Sequence, residues 1–143
     1  MKTLNTSLTF FLNLAKVHTT ISRRFDGALN GLSLTEFIVL FHLSNAHEEK
    51  MRRVDLAEKV GLTASGVTRL LLPMEKIGLV QKEVNERDAR SSYVALASGG
   101  KEKLAEAIDR AEIFCDDIVE HANIGEEIGR ASNVLRALGG TVR

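Results

Sequence analysis

Gly61 separates two short stretches of helical apolar spacing, and this restricts the chain more than any other feature. Before it, Leu56 and Val60 stand four apart; after it, Val67, Leu70 or Leu71, Met74 and Ile77 recur at three or four. Apolar residues so spaced line one face of a helix. Glycine reaches the left-handed conformation that ends a helix, and Thr63 or Ser65 can accept the free N–H groups that begin the next. Helices this short are marginal in water and must bury their apolar faces on something else. Two of them around a tight turn make a helix-turn-helix.

After Gly78 the period changes. Residues 79–84 and 91–96 are strand-like flanks of a charged tip at residues 85–90, which predicts a β-hairpin with Val94 and Leu96 on its inner face. A helix-turn-helix followed by such a hairpin is a winged helix-turn-helix. The remaining segments read as helices. Residues 4–29 carry two overlapping apolar stripes and predict a helix buried on more than one side, by its own chain and by a second copy. Residues 34–45 form a core helix, with Ser33 and Glu36 placed as a capping box, and 47–50 read as a loop. From 100 to 122, Leu104, Ile108, Ala111, Cys115, Ile118 and Ala122 make a 4-3-4-3-4 seam that needs a partner helix. A last short helix spans 126–138. The expected fold is mainly α, a single unit over residues 1–143. Its DNA-binding winged helix-turn-helix at 34–97 carries a two-stranded β-wing, and a dimerisation region is formed by N- and C-terminal helices at 1–30 and 100–143.

Nineteen basic and nineteen acidic residues leave no net charge, so composition alone does not point to nucleic acid. The distribution does. Residues 50–90 hold nine basic side chains against six acidic, whereas 97–127 hold three against nine. One region can face phosphates and the other would be repelled by them. A single cysteine excludes an intrachain disulfide and fits a cytoplasmic protein. No run of roughly 18 apolar residues is present, so no membrane-spanning helix is expected. His18, His42, His47 and His121 lack the i,i+4 spacing of a zinc pair. No nucleophile elbow, P-loop or dinucleotide glycine motif occurs, so neither catalytic residues, metal nor cofactor is expected. Cys115, on the seam, reads as a buried structural thiol rather than a redox sensor.

If Val67, Leu71 and Met74 face inward, Ala64, Ser65, Thr68, Arg69 and Leu72 face outward. That face is small, polar and ends in a guanidinium, which suits the major groove: arginine can bond guanine bidentately, and hydroxyls reach base edges or phosphates. Arg87 and Arg90 sit on the hairpin tip, where an arginine can enter a narrow minor groove, and Asp88 is placed to pair with Arg90 and hold it. For Arg52, Arg53, Lys82 and Arg87, phosphate contact and plain solvation stay equally open. Pro73 lacks the N–H that would bond the carbonyl of Arg69, so a kink or break is expected there, with DNA contacts concentrated at residues 65–69.

Three stretches, residues 53–69, residues 75–80 and the wing at 87–96 with its Asp88-Ala89-Arg90, together resemble the MarR family of bacterial transcriptional regulators. Leu34-Thr35-Glu36-Phe37 with Leu40 and Leu43 looks like the helix that precedes that family's DNA-binding unit. The resemblance implies a homodimer whose terminal helices interlock, one winged unit per half-site of a pseudo-palindromic operator in double-stranded DNA, and repression relieved by a small aromatic effector. It also puts a peroxide-sensing role for Cys115 in doubt, because the family's one-cysteine sensors carry theirs in the first helix. The competing reading is a protein-interaction winged-helix module without sequence-specific DNA binding.

Overall fold

The structure, a computed structural model, describes residues 1–84 and 92–142. Helix α1 (Thr6–Asp26) starts where Asn5 Oδ1 accepts the Leu8 N–H at 2.8 Å. Helix α2 (Leu34–Ser44) has the expected capping box: Ser33 Oγ accepts from the Glu36 amide, and Glu36 Oε1 accepts from the Ser33 amide. Each bond satisfies a donor that the helix itself leaves free.

The segment read as a loop is a 3-10 turn over His47–Glu49 followed by strand β1 (Lys50–Arg52). Glu48 and Glu49 hold φ values of 54° and 55°, and the ion pairs Glu48–Lys50 at 3.1 Å and Glu49–Lys101 at 2.7 Å fasten them. Strands β2 (Val80–Val84) and β3 (Ser92–Leu96) pair antiparallel, from Val80 opposite Leu96 to Val84 opposite Ser92. On the far side of β3, β1 pairs Met51 with Val94, so the sheet order is β1-β3-β2. The hairpin expectation holds, and the sheet gains a third strand. With a covered strand on each side, β3 buries three successive residues, Val94, Ala95 and Leu96.

Helices α3 (Arg53–Val60) and α4 (Ala64–Lys76) flank Gly61, whose φ of 71° lets its N–H and that of Leu62 cap the last carbonyls of α3. Of the two candidate caps for α4, Thr63 serves: its Oγ1 accepts the Gly66 N–H at 3.1 Å. Pro73 does not break α4, which runs on to Lys76. The carbonyl it deprives, that of Arg69, lies on the exposed side of the helix, where water can bond it. Ile77 is not a core residue either, being 68% exposed. The helix ends before it, Gly78 turns the chain with φ of 80°, and Leu79 takes the buried place instead.

Helix α5 (Ser98–Ala122) begins two residues earlier than its glycines suggest and is followed by α6 (Ile128–Ala137). The core lies among α2, α3, α4, the sheet and the first half of α5, with Val39, Leu40, Leu43, Leu56, Val67 and Leu71 fully enclosed. Phe25, from the end of α1, joins it and meets Phe114 edge-on at 4.9 Å between ring centres. On α5 the face buried within the chain is Leu104, Ala107 and Ala111, continued by half-buried Phe114. The expected seam is therefore shifted: Ile108 is only partly covered, and Cys115 is exposed rather than a buried thiol. Most of α1 and all of α6 likewise leave their apolar side chains exposed.

Candidate nucleic-acid interface

Val67, Leu71 and Met74 anchor α4 so firmly that its opposite side can only face outward. Ser65, Thr68 and Arg69 are exposed on that side, as expected, together with Ala64 and Leu72. The first turn is pre-arranged. Thr63 Oγ1 lies 3.2 Å from Ser65 Oγ, and the Thr68 hydroxyl donates to the Ala64 carbonyl at 3.1 Å, which leaves the Thr68 lone pairs turned outward. Arg69 has no hydrogen-bond or ion-pair partner among the described residues, so its donors are open. The free amides at the start of α4 add a partial positive charge beside these side chains, a favourable setting for phosphate.

Arg52 and Arg53, left open between phosphate contact and solvation, take separate structural partners. Arg53 reaches from the start of α3 to the last turn of α4, where its Nη2 donates to Glu75 Oε1 at 2.7 Å in a half-buried pair. Arg52 holds Asp55 through two bonds, Nε to Oδ2 at 2.9 Å and Nη2 to Oδ1 at 3.1 Å. That guanidinium draws the Asp55 carboxyl below its ordinary value. The sequence signal for Arg53 was weak, because Glu75 is 22 residues away. Lys82 is exposed on β2. Arg87, Asp88 and Arg90 lie outside the described residues; the strands that carry their segment end at Val84 and begin again at Ser92.

A second feature lies on the other side of the unit. Between α2 and α5 opens a cavity of about 650 Å³, floored by Phe37, Phe41, Ile108 and Ala111 and bounded by Val142 from the segment after α6. Cys115 lines it. Burial and the nearby Asp116 carboxylate push its thiol pKa up. Sequence reasoning did not find this cavity, since its walls come from three distant segments.

A short helix capped at its exposed end, braced by a second helix and followed by a paired hairpin, defines the class: a winged helix-turn-helix protein. The MarR family model matches residues 32–92, which hold both helices and strands β1 and β2. Over residues 32–92 the chain is similar to the MarR family of transcriptional regulators. A relative in Bacillus subtilis, the uncharacterized HTH-type transcriptional regulator YdgJ, is 28% identical over 114 residues. The match takes in 80% of this chain and 66% of that one. A MarR family regulator from Streptomyces coelicolor in complex with DNA shares the fold at a TM-score of 0.84 and 18% identity, over 100% of this chain and 92% of its own. The PcaV transcriptional regulator from the same organism, in complex with its natural ligand, does so at 0.83 and 15% over the full length of both. Among the described residues, no helix is long and apolar enough to cross a membrane.

Proposed function

We propose that this chain is a cytoplasmic homodimeric repressor that binds a pseudo-palindromic operator in double-stranded DNA and is released by a small effector. The observation that carries the DNA reading is the exposed row Ser65, Thr68 and Arg69 on a capped helix whose opposite face is locked in the core. Arg69 reads a base edge, and the hydroxyls meet a base or a phosphate. Arg87 and Arg90 enter the adjacent minor groove, with Asp88 positioning Arg90. Residues 34–97 form the DNA-binding unit, and residues 1–30 and 100–143 form the dimer. The apolar faces left open on α1 and α6 support the second assignment, since contiguous exposed apolar surface of this kind marks an interface. A dimer sets its two recognition helices about 34–36 Å apart, one turn of duplex. An effector that alters this separation relieves repression, and the cavity between α2 and α5 is where we place it.

The test is selection of a site from a random duplex pool, followed by titration of the parent and of Arg69→Ala on the winning site. An inverted repeat should emerge, and the substitution should cost about 1–3 kcal/mol of affinity and relax the preference at one base pair. Unchanged affinity in Arg69→Ala would remove that residue from the interface. A pool without an enriched sequence would leave only electrostatic attraction and favour a protein partner for the winged unit.

A further inference from the structure

We propose that the cavity between α2 and α5 takes hydrophobic cations in preference to hydrophobic anions. The inference rests on the reading that a small molecule occupies this cavity, and it adds the charge of that molecule. The apolar floor supplies the affinity: two aromatic rings from α2, Phe37 and Phe41, face Ile108 and Ala111 across a space large enough for a multi-ring compound. The rim supplies the selection. Its charged groups among the described residues are Glu112 and Asp116, one turn apart on α5, and both are carboxylates. His42 and Lys59 belong to a separate cavity beyond Ile38 and Val142, the two residues that line both spaces.

An anionic ligand in this position would meet two negative charges with no cation among the described lining residues to offset them, and it would lose its own hydration as well. A cation of the same shape gains from both carboxylates and can lay its charge against the face of Phe37 or Phe41. The thiol of Cys115 already registers this field, since the Asp116 carboxylate raises its pKa alongside burial. Two carboxylates a few ångströms from the bound charge separate cation from anion by on the order of tenfold in affinity, even with the screening of an open rim.

The lone cysteine makes the site readable. Cys115 is exposed at the cavity, so an occupant slows its alkylation by iodoacetamide. The full-length protein is titrated by calorimetry with tetraphenylphosphonium and tetraphenylborate, ions of nearly equal size and opposite charge. Alkylation of Cys115 and affinity for the selected DNA site are measured under the same conditions. The expected result is tighter binding of the phosphonium by on the order of tenfold, slower alkylation in its presence, and loss of the preference in Glu112→Gln/Asp116→Asn. Glu112 and Asp116 are exposed, so the double variant should fold. Equal binding of the two ions, tighter binding of the borate, or an undiminished preference in the double variant overturns the proposal. So does binding of neither ion, or binding that leaves Cys115 alkylation unchanged. The effector reading is judged separately by whether an ion that protects Cys115 also shifts DNA affinity.

Discussion

Helices α2 and α6 each carry large aliphatic residues, yet those residues end in opposite states. Val39, Leu40 and Leu43 of α2 are wholly enclosed, whereas Leu135 of α6 is 46% exposed and Ile128, Val134 and Leu138 are similarly open. The difference is one of neighbours. α2 sits among α3, α5 and the sheet, all supplied by the same chain, while among the described residues no other element packs extensively against α6. Helix α5 records the transition within a single element: Leu104, Ala107 and Ala111 are buried, and Ile113, on the opposite face, is among the most exposed apolar residues. The winged unit is closed on itself, and the terminal helices leave apolar side chains exposed.

That contrast is broken most directly by cutting one leucine in each region. Leu40→Ala should lower stability by about 2–5 kcal/mol, because it opens a cavity that a rigid core refills only in part. Its thermal midpoint should fall by the same amount at every protein concentration. Leu135→Ala should act through association, so its shift should be greatest in dilute protein and shrink as concentration rises. Midpoints recorded over a wide concentration range for both variants decide the matter. A shift in Leu135→Ala that ignores concentration would mean that α6 is already buried within the single chain.

A smaller effect sharpens the same boundary inside α5. A Cβ at Gly100 would lie 2.1 Å from the Leu79 carbonyl oxygen, which accepts the Ala97 N–H, and 2.9 Å from Leu96 Cδ1. Gly100→Ala must therefore push the start of α5 away from the turn that leads into β2, at a cost of roughly 1–3 kcal/mol. Ile113→Ala, thirteen residues along the same helix, removes a side chain that is 66% exposed and should leave the urea midpoint of the dilute protein almost unchanged. Equal losses in the two variants would show that α5 is held along its whole length.

Local chemistry made most of the fold legible. The capping box at Ser33 and Glu36, the glycine between α3 and α4, and the change of period after Gly78 each report a hydrogen-bonding or steric requirement within a few residues. The outward row Ser65, Thr68 and Arg69 was legible for the same reason, since one helical period assigns both faces of α4. What escaped depends on distant partners. Strand β1 is three residues long and exists because β3 offers it an edge. Ser98 begins α5 despite two following glycines, because only glycine lets the helix approach the Leu79 carbonyl. Arg53 is claimed by Glu75, and the shifted seam on α5 follows the reach of α2 and Phe25, not its own period. Ile77 fell on the right face of a helix that had already ended. The wing residues Arg87, Asp88 and Arg90 stand as sequence inferences, their segment lying between two strands whose pairing is described.

The smallest effect concerns His42, at the end of α2, beside the place where the segment after α6 approaches the winged unit. It shares a cavity with Lys59 of α3 and with Gly139, Gly140, Thr141 and Val142. Burial lowers its pKa below 6.5, and the Lys59 ammonium lowers it further. The position near a helix C-terminus favours a protonated imidazole, but desolvation and the like charge prevail. The unfolded chain thus binds this proton more readily than the folded one. Stability from His42 is complete above about pH 6.5 and is lost as the pH falls through that value toward the depressed folded pKa. His42→Gln removes the titration while keeping a side chain of similar reach. Urea midpoints at about pH 7.5 and about pH 5.5 should therefore fall less in the variant than in the parent. The histidine is only partly buried, so the difference is modest. Equal falls would mean that His42 titrates alike in both states, and that the segment after α6 does not enclose it.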